Sequence, residues 1–276
     1  MKKKIALPNA IGILLLSTFL ISGGGYALIR IIERIRFQRL TDERYFLTQL
    51  IQTGPKKEAL KSVYLQELLK LSKNKPLSFF EYDSEKAEKT LLTSPLIEEA
   101  RVKKIPPHTL YVDYSLREPF AILYDFENTF IDQNGALFPI HPFFSPKKIP
   151  EIYLGLAPFD QDFYDKELFY KQPLKGAQFE LALEVIQILS ESQKEYDFFL
   201  KRVDLSLIQE PSVGRQELII LIENRDSSLH YLRLPVEKWE EQLNNYLILR
   251  EKLAIDGQNR TIDLRLHSLG YIEEVS

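Results

Sequence analysis

Apolar residues occupy every second position from Leu110 to Leu116, with Tyr111, Asp113 and Ser115 between them. That period of two predicts a strand with one buried and one wet face. A second short strand, "ARVKKI" (residues 100–105), precedes it across Pro106-Pro107, a pair that forces a turn. Upstream the period lengthens. Leu65, Leu68, Leu69 and Ser72 share one helical face, and Ala87 and Leu91 form the inward stripe of a second helix. The second helix opens at Asp83 and Ser84, both N-cap residue types, and stops before Pro95. "RYFLTQLIQTG" (residues 44–54) ends in a Gly-Pro turn and reads as a leading strand. Residues 45–117 therefore predict strand, helix, helix, strand, strand, an α+β unit with helices over a small sheet.

Beyond Pro119 the pattern changes. "FAILYDFENTFIDQNGALFPI" predicts a pair of strands meandering through the turn Asp132 to Gly135. A proline-rich stretch follows, then a helix with Phe179, Ala182, Leu183, Ile186 and Leu189 on one face. "KRVDLSLI", "ELIILIEN" and "SLHYLRLP" read as strands. A second helix carries the stripe Val236, Trp239, Leu243, Tyr246 and Leu253. The chain closes on one further strand, in which Ile262, Leu264 and Leu266 alternate with Asp263, Arg265 and His267. Residues 118–276 thus predict a β-rich domain with a multi-stranded antiparallel sheet and at least two helices.

The amino terminus follows neither period. After "MKKK" no charged residue occurs from Ile5 to Ile29, long enough for the ~20 apolar residues that a helix needs to span a bilayer. The apolar run resumes past "SGGGYA", which favours an uncleaved anchor over a cleaved signal peptide. The expected order is a tail at 1–9, a transmembrane helix at 10–32 and a charged juxtamembrane stretch at 33–44. Counting Lys and Arg alone puts the carboxyl side in the cytoplasm, because five arginines between residues 30 and 44 follow three leading lysines. Long domains translocate largely regardless of charge, so orientation stays open on this count.

Composition narrows the chemistry. There are no cysteines among 276 residues, which excludes disulfides, thiolate metal ligands and thiol nucleophiles. A net charge of −3 supplies no basic field for nucleic acid. His108, His141, His230 and His267 stand singly, with no metal-ligand spacing between them. No phosphate loop, dinucleotide fingerprint or nucleophile elbow is present. Paired acids such as Glu98-Glu99 and Glu240-Glu241 suit wet surfaces as readily as acid/base chemistry. The expectation is a binding protein without catalytic residues, metal, cofactor or small-molecule substrate.

One stretch has a family likeness. "SPLIEEARVKKIPPHTLYVDYSLREPFAIL" resembles the bacterial cell-division proteins FtsQ and DivIB, carried by Pro95, Ala100, Val102, Pro107, Thr109, Leu110, Val112, Arg117, Pro119 and Ala121. "FIDQNGALFP", "IPEIYLG" and "TIDLRL" resemble that family's later motifs in the same order; Leu266 replaces its usual aromatic. The resemblance implies a POTRA domain over 45–117 followed by the family's β domain, on a single-pass anchor with its amino terminus in the cytoplasm. It also implies a scaffold of the inner membrane, enriched at the septum, that recruits FtsB/FtsL-type partners and the septal peptidoglycan synthase complex. In such proteins the last strand offers an open edge to a partner. The matching residues are Asp263, Arg265, Leu266, His267, Ser268, Leu269 and Tyr271; the alternative for that stretch is an ordinary edge strand protected by Arg265 and His267. Arg117, Glu118 and Pro119 would form the domain seam, a short stiff joint because proline lacks an N–H and holds its predecessor extended. Other classes open to this sequence are a POTRA-bearing component of outer-membrane assembly or secretion, and an anchored cell-envelope enzyme.

Overall fold

A long helix, α1 (Leu7–Thr41), opens the chain in the computed structural model. The structure describes residues 7–72, 77–156, 170, 172–253, 257–266 and 269–274; within α1, side chains are described at Thr18 and from Gly24 onward. Most of the expected span 10–32 therefore has side chains outside the described residues. Among the described residues, no helix is long and apolar enough to cross a membrane.

The chain divides into two compact units. The first comprises Met1–Gly54, Leu60–Leu91 and Glu99–Tyr114; the second comprises Pro55–Ala59, Leu92–Glu98 and Ser115–Ser276. After α1 come β1 (Gln49–Thr53), α2 (Ser62–Leu68), α3 (Ser84–Leu91), β2 (Ile97–Ile105) and β3 (Thr109–Leu116). This is the element order that the periodicities predict. The strands form a three-stranded sheet in the order β1-β3-β2, with β1 parallel to β3 from Gln49 opposite Thr109 to Thr53 opposite Asp113.

Leu110, Val112 and Tyr114 are buried, as are Leu65 of α2 and Ala87 and Leu91 of α3. Each fully buried leucine contributes about 1.5–3 kcal/mol of transfer free energy. The Tyr114 hydroxyl accepts the Leu60 N–H at 2.7 Å, so the aromatic ring fills the core while its polar end stays paired. Burial pushes the Tyr114 hydroxyl above the usual phenol range, and the Leu60 N–H works against that. The same ring requires Gly54, since a Cβ there would lie 2.6 Å from it.

The second unit is built on a nine-stranded sheet, from β4 (Ala121–Leu123), β5 (Thr129–Ile131), β6 (Leu137–Pro139), β7 (Glu151–Tyr153), β8 (Phe198–Asp204), β9 (Leu218–Asn224), β10 (Leu229–Leu234), β11 (Arg260–Asp263) and β12 (Tyr271–Glu274). Its order is β12-β11-β10-β9-β8-β7-β4-β5-β6. The expected antiparallel sheet is mixed: β4–β7, β7–β8 and β10–β11 are parallel. Parallel neighbours need long crossovers, and helices supply two of them. Helix α4 (Ala177–Tyr196) falls between β7 and β8, and α5 (Trp239–Leu253) between β10 and β11.

Alternation along β9 and β10 selects the core. Leu218, Ile220 and Ile222 are buried beside Leu232 and Leu234, and they join Phe179, Ala182, Val185, Ile186 and Leu189 of α4. Trp239, Leu243, Tyr246 and Leu247 of α5 complete the cluster. Val236 lies ahead of α5, and Leu183 and Leu253 are half-buried at the margins of their stripes. His230 is fully buried in this core, with Nδ1 2.8 Å from the Tyr246 hydroxyl.

Candidate partner interface

β12 ends the sheet, with β11 on one side and, among the described residues, no further strand on the other. It runs antiparallel to β11, with Arg260 opposite Glu274 and Asp263 opposite Tyr271. All four residues of β12 are exposed. An end strand of this kind carries one row of backbone N–H and C=O groups with no ladder partner.

The open edge is therefore one strand later than the period of two predicts. Asp263 closes β11, which lies inside the sheet between β10 and β12. The Leu264 N–H still reaches the Arg233 carbonyl at 2.9 Å. Arg265, Leu266 and Leu269 then lie in the connection, Tyr271 begins β12, and His267 and Ser268 lie outside the described residues. The physical reason is local. Asp263 Oδ1 accepts the Arg265 backbone N–H at 3.1 Å, an Asx turn that withdraws Arg265 from the ladder. Alternation continues through Leu266 regardless, so the pattern reads on where the strand has stopped.

Arg265 is held by neighbouring carboxylates. Its guanidinium donates to Asp263 through Nη2 at 2.6 Å and Nε at 2.9 Å, and lies 3.2 Å from Glu217 Oε2. Arg233 completes a square: its Nε donates to Glu217 at 2.8 Å, and Nη1 lies 3.3 Å from Asp263 Oδ2. The strands bring these groups together, because Asp263 stands opposite Arg233 on β10 and Tyr271 on β12. Two cations and two anions thus satisfy each other beside the edge.

Burial alone would push the Asp263 carboxyl up; the hydrogen bonds from Arg265 outweigh it, helped by the charges of Arg265 and Arg233, and hold it below the usual aspartate range. A carboxyl depressed in the fold stabilises it at pH above the unfolded value, and that contribution is lost as pH falls through the folded value. Asp263→Asn should therefore lower the urea midpoint at neutral pH. The gap from the unsubstituted chain should close in strong acid, below the ordinary aspartate range, as unfolding titrations at both pH values would record.

Around the edge the surface is apolar. Leu266, Leu269 and Tyr271 are 67%, 68% and 65% exposed, and Ile272 44%. Contiguous exposure of this kind marks interaction sites in soluble domains. Three of these residues are among those the sequence picked out; Ile272 and the rest of β12 were missed. The signal for them was a glycine, Gly270, followed by a short apolar-acidic run. A groove of about 790 Å³ lies beside the connection, with Val213, Pro235, Val236, Leu266 and Leu269 in its wall. Of its charged members Asp263 and Arg265 are already paired, which leaves main chain, apolar side chains and the Glu237 carboxylate as what this edge can offer.

The seam residues serve the second unit. Arg117 Nη1 donates to Asp132 Oδ2 at 3.0 Å and Nε to the Pro95 carbonyl at 3.1 Å, while its backbone N–H reaches the Leu96 carbonyl. Asp132 is buried, and its Oδ1 accepts the N–H groups of Asn134 and Ala136 at 2.9 and 2.8 Å. The turn is completed by Gly135, which has a positive φ of 79° and no room for a Cβ beside the Leu174 carbonyl. Glu118 is exposed and Pro119 half-buried. Among the described residues no group of three or more His, Asp or Glu side chains gathers as a metal site would require.

Residues 58–113 fit the family model described as POTRA domain, FtsQ-type. The chain thus carries that domain across α2, α3, β2 and most of β3, which supports the resemblance to FtsQ and DivIB. No curated protein matches.

Proposed function

We propose that this chain, with its FtsQ-type POTRA domain, is a non-enzymatic scaffold of the bacterial cell-division machinery. It is held in the inner membrane by residues 10–32, with the POTRA domain at 45–117 and the β domain at 118–276 outside the cytoplasm. Arg117 to Pro119 form the joint between them. The uncharged run from Ile5 to Ile29 and the unbroken helix from Leu7 to Thr41 support the anchor.

The observation that carries the reading is the exposed end strand β12 beside Leu266 and Leu269, in a chain with this POTRA type. A partner segment, of the FtsB/FtsL type, adds to β12 as a further strand. Main-chain hydrogen bonds then supply affinity, and Leu266, Leu269, Tyr271 and Ile272 supply selectivity. Through that partner the scaffold meets the septal peptidoglycan synthase complex. Asp263 and Arg265 hold the connection in shape rather than touching the partner first. The test is the position of an amino-terminally labelled chain in dividing cells. Concentration at the septum is expected, and an even distribution around the envelope would overturn the reading.

A further inference from the structure

The carboxyl-terminal third of α1 is a helix that neither water nor a protein groove suits. From Leu28 to Phe37 it exposes Leu28, Ile29, Ile31, Ile32, Ile35 and Phe37, each between 45% and 67% accessible. Between them stand Arg30, Arg34 and Arg36, with Arg39 just beyond, all exposed. At about 100° per residue, Arg34 is turned about 40° from Arg30, Arg39 about 180° and Arg36 about 240°. The apolar residues fill the intervals. The pattern is a collar of cations and large apolar groups, occupying about 17 Å of helix axis.

A collar differs in meaning from a stripe. A partner helix or groove takes one apolar face and leaves the other charged. Here Leu28, Ile31, Ile32 and Ile35 gather on one side with Arg39 among them, while Ile29 and Phe37 stand on the side of Arg30, Arg34 and Arg36. A partner on the first side would leave Ile29 and Phe37 in water and would cover Arg39 without counter-charge. The hydrocarbon interior is excluded as well, because a guanidinium there is costly. The environment that accepts both around a full turn is the headgroup layer, where arginines reach phosphate and the isoleucines meet the acyl boundary.

Charge bookkeeping points the same way. Arg30 pairs with Glu33 at 3.8 Å and also donates through Nε to the Tyr26 hydroxyl at 2.9 Å. Arg44 pairs with Asp42 at 2.6 Å. Among the described residues, Arg34 and Arg36 make no ion pair or hydrogen bond. Arg39 has its guanidinium 5.7 Å from the Phe80 ring centroid. The basic residues of this segment are all arginine, the cation whose planar fork grips a phosphate with two parallel bonds. Tyr26, one turn before Arg30, is the kind of aromatic that sits at the membrane interface.

We propose that Arg34 and Arg36, with Arg30 and Arg39, bind the phosphodiester headgroups of anionic phospholipids in the leaflet at the carboxyl end of α1. The proposal rests on the anchor reading above and adds the lipid class to it. The collar sets how deep the helix sits, and makes retention of the chain sensitive to anionic lipid.

The test uses the full chain in nanodiscs of equal phosphatidylcholine and phosphatidylglycerol, with retained lipids counted by native mass spectrometry. Phosphatidylglycerol should be enriched over phosphatidylcholine, and Arg34→Gln with Arg36→Gln should reduce that enrichment by about fivefold per arginine removed. Equal retention of the two lipids, or unchanged enrichment in the double variant, overturns the proposal. Enrichment that vanishes on adding inorganic phosphate at the lipid phosphate concentration marks a general anion site and also overturns it. Flotation with phosphatidylcholine vesicles separates the two readings: a chain that floats without lipid preference retains its anchor and loses the collar. A chain that does not float with vesicles of either composition loses both.

Discussion

Asp132→Ala should cost the second unit about 3 kcal/mol, a large share of a domain's net stability. Asp132 is 5% exposed and does three things at once: it caps the N–H groups of Asn134 and Ala136 and accepts from Arg117. Removing the carboxylate leaves two turn N–H groups without acceptors, at about 1–3 kcal/mol for each that water cannot reach. It also leaves Arg117 without its counter-charge. The arginine keeps the Pro95 carbonyl and a side chain 24% exposed, so the loss falls at the low end of the range for broken buried pairs. Asp132→Asn retains an oxygen for the turn and should cost about 1 kcal/mol. Hydrogen exchange of the β4, β5 and β6 amides reads both values, and a much larger acceleration in Asp132→Ala than in Asp132→Asn is the expected pattern.

A proline in β12 should weaken partner capture by up to about a hundredfold, since a partner carbonyl left without its donor costs about 1–3 kcal/mol. Along an antiparallel strand successive N–H groups alternate between the paired neighbour and the open side. Ile272→Pro and Glu273→Pro therefore strike one N–H of each kind, both within β12. The outward substitution should weaken capture to that extent with no change in unfolding, and the inward one should also fray β12 from β11. A proline at Leu266 acts on the connection and should do less. A pull-down with an FtsB-type partner, run beside an unfolding titration, distinguishes the three.

How much of this was readable in the sequence varies with the range of the interaction. Leu110, Val112 and Tyr114 declared their buried face by simple alternation, as did Leu218, Ile220 and Ile222. The α5 stripe was legible through Trp239, Leu243 and Tyr246, because a helix of period 3.6 places them on one side. The pairing of β4 with β7 was not legible: nothing local in "FAIL" names a parallel neighbour more than twenty residues away. The charged square was hidden for the same reason, since Glu217, Arg233, Asp263 and Arg265 meet only after three strands have paired. The position of the edge failed differently. There the governing contact was a two-residue Asx turn at Asp263, which alternation does not register.

The central claim is that β12 takes a partner's strand through its open backbone row. Hydrogen exchange at Tyr271 to Glu274, with and without an FtsB-type partner, tests it most directly. The account predicts rapid exchange in the free chain, strong protection of β12 in the complex, and little change at β9 and β10. A bound partner that leaves the β12 amides exchanging as before, with protection appearing elsewhere on the chain, would contradict it.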